Sequence, residues 1–220
     1  VAAGTYNESL NVNKAVTIEG AHAGDAGTAL DRDPTGASGE TTIIGHSKIT
    51  ASTGAATLDG LVFVNDATTT NCGPGNPTLQ IVSGEDHVVT NSIFYSSVLG
   101  AGHDDRAIST PVIADGHITI SDNLITGITP TNLFGGATWG RGIWSDGGGV
   151  ELNVTGNTIE FARSGVNLDD TNHTVANFNN NTFHSDGSAF SIGVDQDGLT
   201  FSGNTFQNVT GCTGTPTDGA

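Results

Sequence analysis

Asp146, Asp169 and Asp195 fall on three successive repeats of the sequence, a placement that can put carboxylates on either side of one polysaccharide bond. Glycoside hydrolysis needs two carboxyl groups ~5–5.5 Å apart for retention or ~6.5–9.5 Å for inversion. Strands stacked ~4.8 Å apart would bring neighbouring repeats to such separations. Arg141 precedes Asp146 on the same stretch and sets a cation beside these carboxylates. Asp146, Asp169 and Arg141 are therefore the candidate catalytic residues. Gln80, Trp139, Trp144, Asn167 and Asp169 are the candidate glycan contacts, because an indole face stacks on a sugar ring while amides and carboxylates bind its hydroxyls. The competing reading has both Trp residues packing the 129–140 loop onto the sheet. A third chemistry is Ca2+ binding by oxygen ligands, with Asp104, Asp105, Asp169 and Asp170 as candidates. Acidic pairs also arise readily by chance in a chain with 17 Asp. No nucleophile elbow, zinc motif, EF-hand loop or phosphate loop occurs, and the seven His residues are scattered.

A repeated unit must position these groups. Leu152, Val154, Asn157 and Ile159 recur as Ala176, Phe178, Asn181 and Phe183, and again as Leu199, Phe201, Asn204 and Phe206. The Asn positions differ by 181−157 = 24 and 204−181 = 23, a period that marks a solenoid. Ile118, Ile120, Asn123 and Ile125 match upstream. Val88, Asn91 and Ile93 match with Asp86 in the remaining place, and Gly60 takes the Asn place before that. Apolar residues two apart share one face of a strand. Asn tolerates the left-handed backbone of a sharp corner, and equivalent Asn side chains can hydrogen-bond up a stack. The expectation is an all-β, right-handed parallel β-helix of about seven coils, with Asn91, Asn123, Asn157, Asn181 and Asn204 at one corner. Phe178, Phe183, Phe201 and Phe206 are expected inside. The outward row beside the inward Leu79, Ile108, Ile143 and Val166 is then Gln80, Ser109, Trp144, Asn167, Asp169 and Ser191, with Arg106 and Arg141 at its edge. Insertions at 65–77, 97–105 and 129–140 are expected to leave one corner as a wall beside this row, and 21–40 reads as a polar loop.

Composition narrows the function classes. Hydrophobic residues are 35% and charged residues 13%, low values that suit a narrow buried column with uncharged polar rows outside. With six Lys and Arg against 23 acids and a net charge of −17, no basic patch for nucleic acid can be assembled. No apolar run is long enough for a transmembrane helix. Cys72 and Cys212 lie about five coils apart, so a disulfide would need a loop or tail reaching along the stack. The chain opens in a strand-like segment without Met. It is expected to be one β-helix domain over 1–220, a piece of a longer secreted or surface protein with residues before Val1. Uncapped end coils expose strand edges, which points to end-to-end self-association as an expected partner contact.

The opening Val1-x-x-Gly4-x-Tyr6-x-Glu8, followed by Val16-Thr17-Ile18-Glu19-Gly20, resembles the first coil of the pectate-lyase-like superfamily of right-handed parallel β-helix proteins. The later Asn-Thr-Ile and Asn-Thr-Phe units resemble its generic repeats. That superfamily includes pectin methylesterases, polysaccharide lyases, alginate epimerases and many surface proteins, so the resemblance implies the fold and leaves the activity open. The catalytic signatures of those enzymes are absent. The expected function is a non-catalytic extracellular or cell-surface domain with a structural, adhesive or glycan-binding role. The alternative is a polysaccharide-active enzyme (lyase, epimerase, esterase or glycoside hydrolase) working in a cleft beside the row of Gln80 and Trp144.

Overall fold

A computed structural model describes residues 1–35, 39–65, 77–98, 105–111, 113, 115–129, 139–169, 173–184, 186–193 and 198–209. Among them there is no helix, and so none long and apolar enough to cross a membrane. The strands form three parallel sheets of eight, seven and seven strands, and each sheet takes every third strand of the chain. The chain therefore visits sheet 1, sheet 2 and sheet 3 in turn, then returns beside its own start. This is the arrangement of a parallel β-helix solenoid.

Period-two alternation sets which side chains enter. In sheet 1 the inward column runs Ile43, Phe63, Phe94, Ile125, Ile159, Phe183 and Phe206. In sheet 3 it runs Ile18, Leu58, Val89, Ile120, Val154, Phe178 and Phe201. Like residues stack: Phe63 lies 5.0 Å from Phe94, and Phe178 lies 5.3 Å from Phe201, ring centroid to centroid. Phe178 and Phe183 are fully buried. Phe201 and Phe206 keep the inward register but stay 47% and 55% exposed, because among the described residues no further strand stacks on theirs.

The corner between sheets 3 and 1 has two distinct places. Gly60, Asn91, Asp122, Gly156, Asn180 and Gly203 carry positive φ and make the bend. The next residue is the one that bonds between coils. Its row is Leu61, Ser92, Asn123, Asn157, Asn181 and Asn204. Each successive side-chain oxygen accepts the backbone N–H one coil back: Ser92 from Leu61, Asn123 from Ser92, Asn157 from Asn123, Asn181 from Asn157, and Asn204 from Asn181. Asn91 does not belong to this row. It stands one place earlier, in the left-handed position, and its amide donates to Asp59 at 2.9 Å. The upstream repeat is thus one residue out of the register read from sequence. Its inward residues are His87 and Val89, not Asp86 and Val88, since a one-residue slip turns every side chain to the other face.

The 21–40 insertion is more than a polar loop. Val62, Val64 and Ile93, on the outer face of sheet 1, form a second small core with Ile44, Tyr95 and Leu124. The described part of the insertion, 21–35 and 39–40, is anchored as a strap on the corner beside this face. Gly27 donates its N–H to Asp122 O at 2.8 Å, and a Cβ there would sit 2.6 Å from Ser92 O, so only glycine allows the approach. Arg32, buried, bonds Asn91 O through Nη1 and Glu40 through Nε and Nη2. Cys72 and Cys212 lie outside the described residues, as do 66–76, 99–104 and 130–138. Those three segments join equivalent strands of sheets 1 and 2 on consecutive coils.

Candidate functional site

The candidate face is the outside of sheet 2, built on Ser47–Ile49, Leu79–Ile81, Arg106–Thr110, Trp139–Ser145, Ala162–Leu168 and Ser188–Ile192. Its register aligns Lys48, Gln80, Ser109, Trp144, Asn167 and Ser191 across neighbouring strands. Alternation places them opposite Leu79, Ile108, Ile143 and Val166, all fully buried. Asp146 and Asp169 follow the aligned Ser145 and Leu168, so they occupy equivalent places on adjacent coils.

The middle of this face is closed upon itself. Trp144 is only 9% exposed. The guanidinium carbon of Arg106 lies 3.6 Å from its ring centroid, and its indole N–H donates to Asp169 Oδ2 at 3.0 Å. Arg141 Nε donates to Asn167 Oδ1, and Asn167 Nδ2 donates to Ser191 O at 3.1 Å. Cation, indole, amide and carboxylate thus satisfy one another, which a low-dielectric surface favours over leaving any of them single. Ser109 is fully buried and its hydroxyl has no partner among the described residues. Gln80 is half-buried and Ser191 exposed, so the row opens at its two ends.

Neither Trp presents an open face, contrary to the expectation of an exposed ring. Trp139 begins a strand of sheet 2, is fully buried in the main core, and donates its indole N–H to Thr126 O at 2.9 Å. An apolar ring that can reach a carbonyl partner gains more from burial than from water. Trp144 is covered by Arg106, a neighbour that sequence separation hides. The two candidate Ca2+ ligands among the described residues, Asp105 and Asp169, do not converge either. Asp104 and Asp170 lie outside the described residues, Asp105 precedes Arg106–Thr110, and Asp169 follows Ala162–Leu168. Asp105 and Asp169 therefore sit at opposite ends of their strands and on different coils, too far apart to share one ion. Asp195 also lies outside the described residues.

No protein-family model, curated protein or solved structure matches the chain. What the face can do follows from its own side chains. Lys48, Arg106, Arg141 and Arg163, four of the six cationic residues, stand on strands of sheet 2. In a chain of net charge −17 this sheet gathers most of the positive charge, with Arg106 and Arg141 engaged at its middle and Lys48 and Arg163 away from Trp144.

Three polar groups escaped the sequence reading. His87 fills the inward column place between Ala56 and Ile118 and is fully buried. Its Nδ1 accepts Ala56 N–H at 3.0 Å, which leaves Nε2 as the protonated nitrogen facing Ser83 Oγ at 2.9 Å. Burial holds its pKa below the ordinary value, against weaker raising effects from the Ala51 backbone and the charges of Glu85 and Asp86. Asp186 is also fully buried and accepts Ala162 N–H at 2.9 Å. Burial pushes its carboxyl well above the usual range; the Ala162 bond opposes this and the charge of Glu160 adds to it. Glu160 itself bridges outward to Thr126 at 2.8 Å and His184 at 3.2 Å. His87 could have been found as the one polar residue in an otherwise apolar column. The Asp186 position had no periodic signal.

Proposed function

We propose that the chain is a non-catalytic β-helix domain of an extracellular or cell-surface protein, with a structural and glycan-binding role on the outside of sheet 2. The finer architecture in this proposal is a right-handed coil of about seven turns, with a side-chain amide ladder along one corner, like members of the pectate-lyase-like superfamily. The observation that carries the reading is the mutual engagement of Arg106, Trp144 and Asp169. A catalytic carboxylate must reach substrate, and Asp169 holds an indole N–H while Trp144 is covered. The polar ends of the row, Gln80 and Ser191, with Lys48 and Arg163 on the same sheet, suit hydroxyls and acidic groups of a glycan without chemistry on it.

The second reading, a polysaccharide-active enzyme, keeps one observation in its favour. Asp146 and Asp169 are equivalent residues one strand spacing apart, ~4.8 Å, near the separation of a retaining pair. Glycan-array binding of the wild type and of Gln80→Ala tests the proposal. Retention of a glycan class that Gln80→Ala weakens several-fold supports it, and absence of binding to any glycan removes the glycan-binding role.

A further inference from the structure

We propose that His22, Asp25 and Asp31, on the strap beside sheet 1, form a site for a divalent transition-metal ion of the Zn2+ class. The site is independent of the glycan reading, since it lies on the strap and not on sheet 2. One imidazole nitrogen and two carboxylate oxygens all lie within 4.8 Å of one another. His22 Nδ1 stands 3.4 Å from Asp25 Oδ2, a long hydrogen bond. The same separation, ~3.4 Å, is the ligand-to-ligand edge of a tetrahedron with metal bonds of ~2.1 Å. Asp31 is exposed, so a side-chain rotation completes the set.

A second observation comes from behind the imidazole. The other ring nitrogen, Nε2, lies 3.9 Å from Glu40 Oε1, an ion-pair distance beyond hydrogen-bond range, and the Glu40 side chain is fully buried. A metal-ligating histidine commonly directs its free nitrogen to a carboxylate, which fixes the ring and raises its basicity. Glu40 is itself immobile, held by Arg32 Nε at 2.8 Å, Arg32 Nη2 at 3.2 Å and the N–H of Asp33 at 3.0 Å. The same guanidinium donates to Asp25 O at 2.8 Å, so one buried Arg positions both the outer carboxylate and the backbone of a ligand. The donor set is therefore built on a rigid support.

Ligand chemistry selects the ion. Ca2+ asks for six to eight oxygens, whereas one imidazole with two carboxylates suits Zn2+ or Co2+ and leaves a fourth position for water. An ion there would tie the 22–25 turn to Asp31 and clip the strap over the corner of Asp59 and Asn91.

The test is calorimetric and visible-absorption titration of the chelator-treated full chain with Co2+, then displacement by Zn2+. The expected result is 1:1 binding that His22→Ala and Asp31→Asn each weaken by at least about tenfold, while Asp115→Asn, remote and exposed, leaves it unchanged. Far-UV circular dichroism checks that the variants fold. Asp31 is exposed, so its variant decides the matter even where His22→Ala disturbs the strap. Absence of 1:1 binding, or equal binding by wild type and Asp31→Asn, overturns the site and assigns any bound ion to the acidic surface at large.

Discussion

The side-chain oxygen of Asn157 accepts both the backbone N–H of Asn123, at 3.1 Å, and its side-chain amide, at 3.0 Å. One buried oxygen thus serves two donors of the neighbouring coil, and the Asn157 amide in turn donates to Ile120 O at 2.8 Å. Asn157→Ala removes the partner of the Asn123 N–H and of Ile120 O in an apolar corner, while the Asn123 amide keeps Val89 O at 3.0 Å. A loss of ~1–3 kcal/mol is expected, read from the urea midpoint. A change below a few tenths would show that the corner is held by backbone pairing alone.

The stacked phenylalanines give a graded prediction. Phe178 is fully buried between coils, so Phe178→Ala should cost ~3–5 kcal/mol through an unfilled cavity. Phe201 lies in the same column but is 47% exposed, and Phe201→Ala should cost less than half as much. Equal losses from both variants would mean that Phe201 is covered in solution.

His87 predicts the acid side of the stability profile. The folded state holds this imidazole below its ordinary value of 6.5, so the unfolded chain binds the extra proton in the window between the two. The contribution is complete above about 6.5 and is lost as pH falls toward the folded value. Denaturant melts from pH 7.5 to 4.5 should show this fall, with a shallower slope in His87→Gln. An unchanged slope would place the titration elsewhere.

Much of the solenoid is legible in the sequence, and the reasons are local. The units around Asn123, Asn157, Asn181 and Asn204 keep the spacing of apolar and amide residues because corner and column both demand it. The unit at 86–93 misleads because the column accepts His87 and the bonding place accepts Ser92, neither of which announces itself as apolar or amide. The face of sheet 2 is legible as a row but not as a surface. Whether Trp144 is open depends on Arg106, a partner on the neighbouring coil that spacing does not reveal. The strap is legible only as an insertion, since its anchors, Asp122 O and Asn91 O, are backbone atoms.

Arg106→Ala should uncover Trp144. Its fluorescence should shift to the red and quench more readily with acrylamide, while Trp139, fully buried, stays protected. Loss of the cation–π contact should cost ~0.5–2 kcal/mol. Emission identical to wild type would show that other groups cover the ring.

Turnover of a polysaccharide panel tests the central claim most directly. The chain is incubated with neutral and acidic polysaccharides, and new reducing ends, unsaturated uronates and released ester groups are measured. The predicted result is no product above the blank, because Asp169, Trp144 and Arg106 are engaged with one another. Turnover by the wild type that Asp169→Asn abolishes would contradict the account and make the face an active site.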